Sequence, residues 1–281
     1  MPNTPCGMKS IYDCKLIEQH EVSPGVWLSK LTGPEIARGA VAGQFVNVQV
    51  AKTTDPLLRR PFSLHAVDRE KGTFSLLYVL VGRGTALLHR YVSGDIISVV
   101  GPLGNGFDLG DSPDAEHIVV AGGCGAAPLH FLCDSLCEKW GCEKVTVLVG
   151  GKSKDALLCE DEFREHGVLT EAATDDASYG YGGFVTQLLQ AHLDKRSDAS
   201  NLRIYSCGPH GMMREVARIC SEHEVQSCQV SLENKMACGI GVCTGCIQKI
   251  KKQSQGCDPA WEYKRVCADG PVFEAENIIW E

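Results

Sequence analysis

No run of about 18 apolar residues occurs in the chain, so nothing in it reads as a membrane-spanning helix. Met1 to Ser10 is polar and lacks the apolar core of roughly 7–15 residues that marks a secretory signal. Positive charge is also short. The 27 Lys and Arg face 35 Asp and Glu, for a net charge of −8. That balance argues against nucleic acid and against an anionic membrane as partners. Internal repeats and low-complexity segments are missing as well. What remains is an ordinary globular composition, 44% hydrophobic and 22% charged in 281 residues, enough for two or three domains. The expected compartment is the cytosol.

Cysteine breaks this plainness, with 15 residues. A chain of this length buries a large core without staples, and an odd count fits a fully paired disulfide framework poorly. The stretch Cys238-Gly-Ile-Gly-Val-Cys243-Thr-Gly-Cys246, followed by Cys267, has the C-x4-C-x2-C…C spacing of a plant-type 2Fe–2S cluster. A short loop must wrap the cluster so that three thiolates reach two irons while backbone N–H groups approach the sulfides. Gly239, Gly241 and Gly245 suit such a loop, because a Cβ would block close approach or resist unusual dihedrals. Zinc is the alternative, but it usually takes two C-x2-C pairs or a Cys/His set, and here only Cys243 and Cys246 form such a pair. A one-electron carrier makes this a redox protein.

Three regions follow one another. Residues 1–107 carry short alternating runs, including 44–50, 73–80 and 95–100, separated by Gly, Pro and Asp turns. This predicts an antiparallel β-barrel or sandwich. Residues 108–230 change character. An apolar strand at 117–121 ends in Gly122-Gly123-Cys124-Gly125, a helix follows from Pro128 to about Trp140, and a second apolar strand spans 144–149. Strand, Gly-rich turn, helix, strand is a βαβ unit and hence a parallel sheet. The pattern continues with strands at 169–173 and 203–206 and helices at 186–193 and 210–222. Residues 231–281 form a small Cys-rich, turn-rich region around the candidate cluster. The expected class is therefore a multi-domain α+β protein.

Further motifs suggest nucleotide chemistry. Arg60-Pro61-Phe62-Ser63 and Gly82-Arg83-Gly84-Thr85 suit a flavin, with Gly84 and Thr85 opening a helix over 86–91 and offering N–H groups and a hydroxyl to phosphate. Taken alone, the same residues read as a surface arginine before an ordinary turn. The Gly122–Gly125 turn lies where an open α/β sheet binds nucleotides, though Pro128 interrupts a complete G-x-G-x-x-G. A tight βα turn without a ligand explains it as readily. Cys207-Gly208-Pro209 closes a later strand on the same sheet edge, so both loops face one crevice. Cys207 itself also reads as a small buried residue.

In this order, R-x-F-S, G-x-G-T, G-G-x-G-x-x-P and C-G-P resemble the ferredoxin–NADP reductase superfamily. One branch is closer still. Gly101 to Phe107, Thr174-Asp175-Asp176, Ser231-Leu232-Glu233, Met236 to Gly241 and Lys264 to Phe273 resemble the electron-transfer subunit of class 1B, NAD-dependent dihydroorotate dehydrogenase, over residues 9–280. The resemblance implies an FAD-binding barrel, a nicotinamide-binding α/β domain and a 2Fe–2S domain. FAD is then expected at Arg60, Pro61, Phe62, Ser63, Leu77, Tyr78, Val79, Gly84 and Thr85. NAD is expected across Gly123, Gly125, Cys207, Gly208 and Pro209, and the cluster on Cys238, Cys243, Cys246 and Cys267. It further implies a separate FMN-containing subunit that oxidises dihydroorotate, two copies of each forming a heterotetramer, in pyrimidine biosynthesis. Electrons would enter singly through the cluster and leave as hydride. Nothing in this chain supplies the FMN barrel or its base, so no catalytic residue is assigned.

Two departures stand out. The stretch from Ile250 to Tyr263 is long for the family and contains Cys257, a competitor of Cys267 for the fourth ligand position. Lys152 and Lys154 follow the second sheet strand, where cations would suit the 2′-phosphate of NADP, although NAD is the expected substrate. Two rivals remain. The first is a diaphorase-type subunit of a ferredoxin-dependent transhydrogenase or sulfhydrogenase, and the second a non-catalytic nucleotide-binding module stiffened by zinc.

Overall fold

The computed structural model describes residues 10–252 and 260–280. The first region is a seven-stranded antiparallel sheet. Its strands are β1 (Ser10–Ser23), β2 (Val26–Thr32), β3 (Phe45–Val48), β4 (Arg60–Ser63), β5 (Ala66–Asp68), β6 (Thr73–Val79) and β7 (Ile96–Leu103). They pair in the order β4-β3-β7-β1-β2-β6-β5. The sheet curls until edge strand β4 reaches β6, next to the opposite edge: the ring of Phe62 on β4 packs edge-on against Tyr78 on β6 at 5.5 Å. Two short helices, α1 (Pro34–Gly39) and α2 (Arg83–Leu88), follow β2 and β6. Strand β7 runs on through Leu103, beyond the expected end at Val100, because Ser10 pairs with Gly101 and Phe45 with Leu103.

The second region alternates strands and helices: β8 (Glu116–Gly122), α3 (Ala126–Trp140), β9 (Val145–Gly151), α4 (Glu160–Glu165), β10 (Leu169–Thr174), β11 (Tyr181–Gly182), α5 (Val185–Leu193), β12 (Leu202–Cys207), α6 (His210–Glu222) and β13 (Ser227–Ser231). The run Ile118–Ala121 is apolar without alternation and fully buried, as a parallel strand covered on both faces must be. The third region adds the hairpin β14 (Ile247–Lys251) with β15 (Trp261–Arg265), then β16 (Val272–Glu274). That last strand crosses back and pairs antiparallel with β13. The sheet order is β11-β10-β9-β8-β12-β13-β16, so the chain winds one way from β8 and then reverses to β12. Open α/β sheets bind ligands outside the carboxyl ends of the strands at such a reversal.

Three apolar clusters hold these parts. One joins the barrel interior (Leu16, Leu31, Val46, Leu76, Val99) to α3 and one sheet face (Leu129, Leu132, Val119). A second fills the other face, between β8 and β12 and helices α5 and α6. The third binds the cysteine region, through Cys246, Val266 and Cys267, to Phe45 and Leu103 of the barrel and Met213 and Val230 of the α/β region. All three regions therefore meet around one crevice.

Candidate redox site

The loop from Cys238 to Cys246 takes backbone conformations that explain two of its glycines. Gly239 has φ 69° and Gly241 φ 88°, both in the left-handed region. Gly245 does not; Thr244 takes the positive φ instead, at 53°, and a Cβ on Gly245 would meet only Cys243 Sγ at 3.5 Å. Gly239 is further constrained, since a Cβ there would lie 2.4 Å from Asn47 Nδ2. Asn47 sits on barrel strand β3 and donates from Nδ2 to the Cys238 carbonyl at 3.2 Å. On the other side, Arg265 donates to the Gly241 carbonyl at 2.8 Å and is itself held by Asp269. A loop with no regular structure is thus clamped from two domains.

Its four thiols stand in two pairs. The Cys243 N–H points to Cys238 Sγ, and the Cys267 N–H to Cys246 Sγ, each at 3.4 Å. Burial alone would raise the Cys238 thiol, but N–H groups of Ile240, Cys243 and Val242 reverse this and bring it to about 6. Burial and the neighbouring Cys246 push Cys267 up to about 12. Cys243 is exposed, whereas Cys246 and Cys267 are buried. Among the described residues, no three of these sulfurs lie within 4.8 Å of one another. A zinc tetrahedron with Zn–S of about 2.3 Å needs all four sulfurs within about 3.8 Å of one another. Two thiol pairs, each with an N–H group aimed at sulfur, fit a two-iron cluster. Cys257, the competing candidate, lies outside the described residues.

Beside this loop a cavity of about 530 Å³ opens between barrel and sheet. Its wall includes all nine residues expected to hold FAD: Arg60, Pro61, Phe62, Ser63, Leu77, Tyr78, Val79, Gly84 and Thr85. The Arg60 side chain lies across Gly84 so closely that a Cβ there would be 2.6 Å from Nε. Tyr78 is fixed by its hydroxyl, which donates to Gln19 Oε1 at 2.9 Å. The Thr85 hydroxyl differs from expectation: it donates to Gly82 O at 3.0 Å and accepts from the Val81 and Gly82 N–H groups. It caps its own turn and has no proton left for a phosphate, and the helix opens at Arg83, three residues before the expected start. At the rim, Arg83 makes a bidentate pair with Asp55, both oxygens at 2.8 Å.

A second cavity of about 970 Å³ lies at the carboxyl edge of the parallel sheet, walled by Gly122, Gly123, Gly150, Gly151, Asp175, Thr186 and Pro209 among others. A smaller one of about 310 Å³ continues past Gly125, Gly208 and Pro209. The first two cavities share Val79 and Cys124 and so adjoin at that point. Gly125 has an ordinary φ of −61°. It is glycine for another reason, because a Cβ would fall 2.1 Å from the Cys207 carbonyl oxygen. Cys207 is wholly buried, with its thiol pushed well above the usual range, and lines none of the three cavities.

Residues that pattern reading left without a site role also reach the cavities. Cys124 lines all three, and Glu233 projects between the first and third, where desolvation raises its carboxyl above the usual range. Met236, two residues before the first cluster cysteine, lines the first cavity and so connects it with the thiol loop. The Gly122-Gly123-Cys124-Gly125 turn and the Ser231-Leu232-Glu233 and Met236-Ala237-Cys238 motifs carried the signal for them.

Comparison with known proteins matches this arrangement region by region. Residues 13–107 match an oxidoreductase FAD-binding domain, and 119–218 an oxidoreductase NAD-binding domain. Residues 233–279 match the iron–sulfur cluster binding domain of dihydroorotate dehydrogenase B. The dihydroorotate dehydrogenase B (NAD(+)) electron transfer subunit of Desulforamulus reducens is 41% identical over 274 residues, covering 98% of this chain and all of that one. Those of Geobacillus kaustophilus and Fusobacterium nucleatum are 40% and 35% identical over 89% and 95% of this chain, and over 91% and 98% of their own. Among solved structures, a chain of NADH-dependent reduced ferredoxin–NADP oxidoreductase superposes with TM-score 0.80 at 27% identity, covering 95% of this chain and 90% of its own. The ferredoxin NADP+ reductase of Neisseria gonorrhoeae shares the fold at TM-score 0.62 and 18% identity, over 76% of this chain and 91% of its own. The chain belongs to the family of electron transfer subunits of dihydroorotate dehydrogenase B.

Proposed function

We propose that this chain moves electrons between a partner subunit that oxidises dihydroorotate and NAD. Cys238, Cys243, Cys246 and Cys267 would hold a 2Fe–2S cluster, one iron per thiol pair. The nine-residue wall from Arg60 to Thr85 would hold FAD, and the cavity past Gly123 and Pro209 would hold NAD. The observation that carries this reading is continuity: thiol loop, first cavity and second cavity adjoin through Met236, Val79 and Cys124. When bound, FAD supplies the exchange between single electrons and a hydride pair.

The chain's own residues then have separate tasks. Phe62 and Tyr78 form an aromatic wall, and Arg60 lays a cation along the cavity. Gly123 and Gly125 let the βα turn approach a dinucleotide without side chains in the way. Asp175, at the end of β10, offers a carboxylate to a ribose 2′-hydroxyl. Of the two candidate cations for a 2′-phosphate, Lys154 holds its ammonium over the Tyr179 ring at 5.2 Å, whereas Lys152 lines the second cavity. The exposed face of the thiol loop, where Cys243 sits beside Val242 at 76% exposure, is the proposed contact with the FMN-containing subunit. A heterotetramer of two copies of each subunit places one such face against each partner. No helix among the described residues is long and apolar enough to cross a membrane. We assign the assembly to the cytoplasm.

The test is anaerobic co-purification from the host, followed by assay of dihydroorotate-dependent NAD reduction. Activity that travels with an FMN-containing second subunit is the expected result. An intact complex with flavin and iron but no such activity would point to another electron donor, as in the transhydrogenase-type rival.

A further inference from the structure

Away from the crevice, two imidazoles and a carboxylate meet where the barrel packs against α3 and α4. His130 and Asp134 stand one turn apart on α3, and His166 directly follows α4. The donor atoms of these three lie within 4.8 Å of one another. His130 Nε2 and His166 Nε2 are 3.2 Å apart, and His166 Nε2 is 3.0 Å from Asp134 Oδ1. A divalent ion with bonds of about 2.0–2.1 Å separates tetrahedral donors by about 3.3 Å. The two edges that run from His166 Nε2 therefore match those of a metal tetrahedron, and the third lies within 4.8 Å.

The hydrogen bonding points the same way. His130 Nδ1 faces the backbone carbonyl of His65 at 3.2 Å and must donate to it, which leaves Nε2 with a lone pair aimed into the cluster. Such a carbonyl is the usual outer partner that fixes the tautomer of a metal-bound imidazole. Asp134 Oδ1 is buried and has no aligned hydrogen-bond donor, although His166 is close. Two electron-rich atoms thus face His166 Nε2, and a single proton on that nitrogen cannot satisfy both. His166 is only about a third exposed, enough for a water to reach a fourth position.

We propose that His130, Asp134 and His166 bind a zinc ion, separate from the iron–sulfur loop, with water as the fourth ligand. Imidazole and carboxylate donors in a tetrahedral arrangement suit Zn²⁺ among the common divalent metals. The ion clamps α3 to the end of α4. These helices follow the Gly123–Gly125 turn and the Ala156–Leu158 segment, both beside the nicotinamide cavity, and the outer-shell carbonyl of His65 belongs to the barrel. A second group nearby, His65, Cys159 and Glu162, is the competing location.

The experiment uses the flavin- and iron-loaded protein, equilibrated with zinc chloride, dialysed and measured for zinc content and zinc K-edge X-ray absorption. The expected result is one zinc per chain with only nitrogen and oxygen neighbours and full iron retained. His166→Gln and Asp134→Asn should each weaken zinc binding about tenfold or more without changing iron or flavin content. His166 is surface-accessible, so its replacement leaves the fold intact. Zinc surrounded by sulfur alone would place the ion at the cluster cysteines, and a single sulfur neighbour would place it at Cys159. Either result, no bound zinc, or unchanged binding in both variants overturns the assignment.

Discussion

The two glycine-rich turns of this protein look alike in sequence and are built on different physics. In the thiol loop, Gly239 and Gly241 are needed for dihedrals that a side chain resists, at φ 69° and 88°. In the nucleotide turn, Gly125 has an ordinary dihedral and is needed for space, because the Cys207 carbonyl lies where its Cβ would be. Within that same turn Gly123 belongs to the first kind: its φ is +52° and nothing lies within 4 Å of a built Cβ. A glycine motif therefore reports that backbone must come close or turn sharply, but not which.

The largest effect separates the two turns by function. Cys246→Ser removes a buried ligand from the loop and should abolish partner-linked NAD reduction. Oxidation of NADH by an artificial acceptor should continue, because the cavities are untouched. Partner-linked turnover that survives would remove the loop from the electron path. Gly125→Ala should do the converse, forcing the two nucleotide loops apart at an overpacking cost of about 1–3 kcal/mol. NADH oxidation should fall steeply while iron content holds, as stopped-flow flavin reduction with parallel iron analysis would reveal.

Smaller changes sharpen the contrast. Gly239→Ala meets both obstacles, dihedral strain and Asn47 at 2.4 Å, and should accelerate iron loss on air exposure. Asn47→Ala keeps the dihedral and removes one hydrogen bond to the Cys238 carbonyl, worth about 0.5–1.5 kcal/mol. Its iron loss, followed by visible absorbance, should be milder than that of Gly239→Ala. Gly123→Ala pays only for its dihedral, about 1–2 kcal/mol, and should weaken NADH binding far less than Gly125→Ala. Equal damage from these two neighbours would mean that both glycines answer the same need.

Much of this was legible in the chain before folding. The ligand spacing of Cys238, Cys243, Cys246 and Cys267 is a local pattern, and the unbroken apolar run at Ile118–Ala121 before a Gly-rich turn is a strong sign of a parallel strand. The proposed FAD wall followed from a resemblance, and its nine residues line one cavity. What stayed hidden depends on contacts between distant segments. Asn47 supports a loop 191 residues away, and no periodicity announces that partnership. Cys207, expected at the nucleotide site, is buried and lines none of the three cavities described above, a placement that its own motif does not reveal. The Thr85 hydroxyl looked free for phosphate, but its turn has N–H and carbonyl groups that must be satisfied first. His166 gains meaning only when α3 brings His130 and Asp134 beside it.

On the proposed function, the nucleotide crevice and the thiol loop form one electron path inside a single chain. The most direct measurement is low-temperature EPR of the flavin- and iron-loaded protein after anaerobic addition of NADH. The account predicts the signal of a reduced 2Fe–2S centre in the native chain and its loss in Cys246→Ser. A flavin bleached by NADH with no such signal, in protein where dithionite does evoke it, would contradict the account.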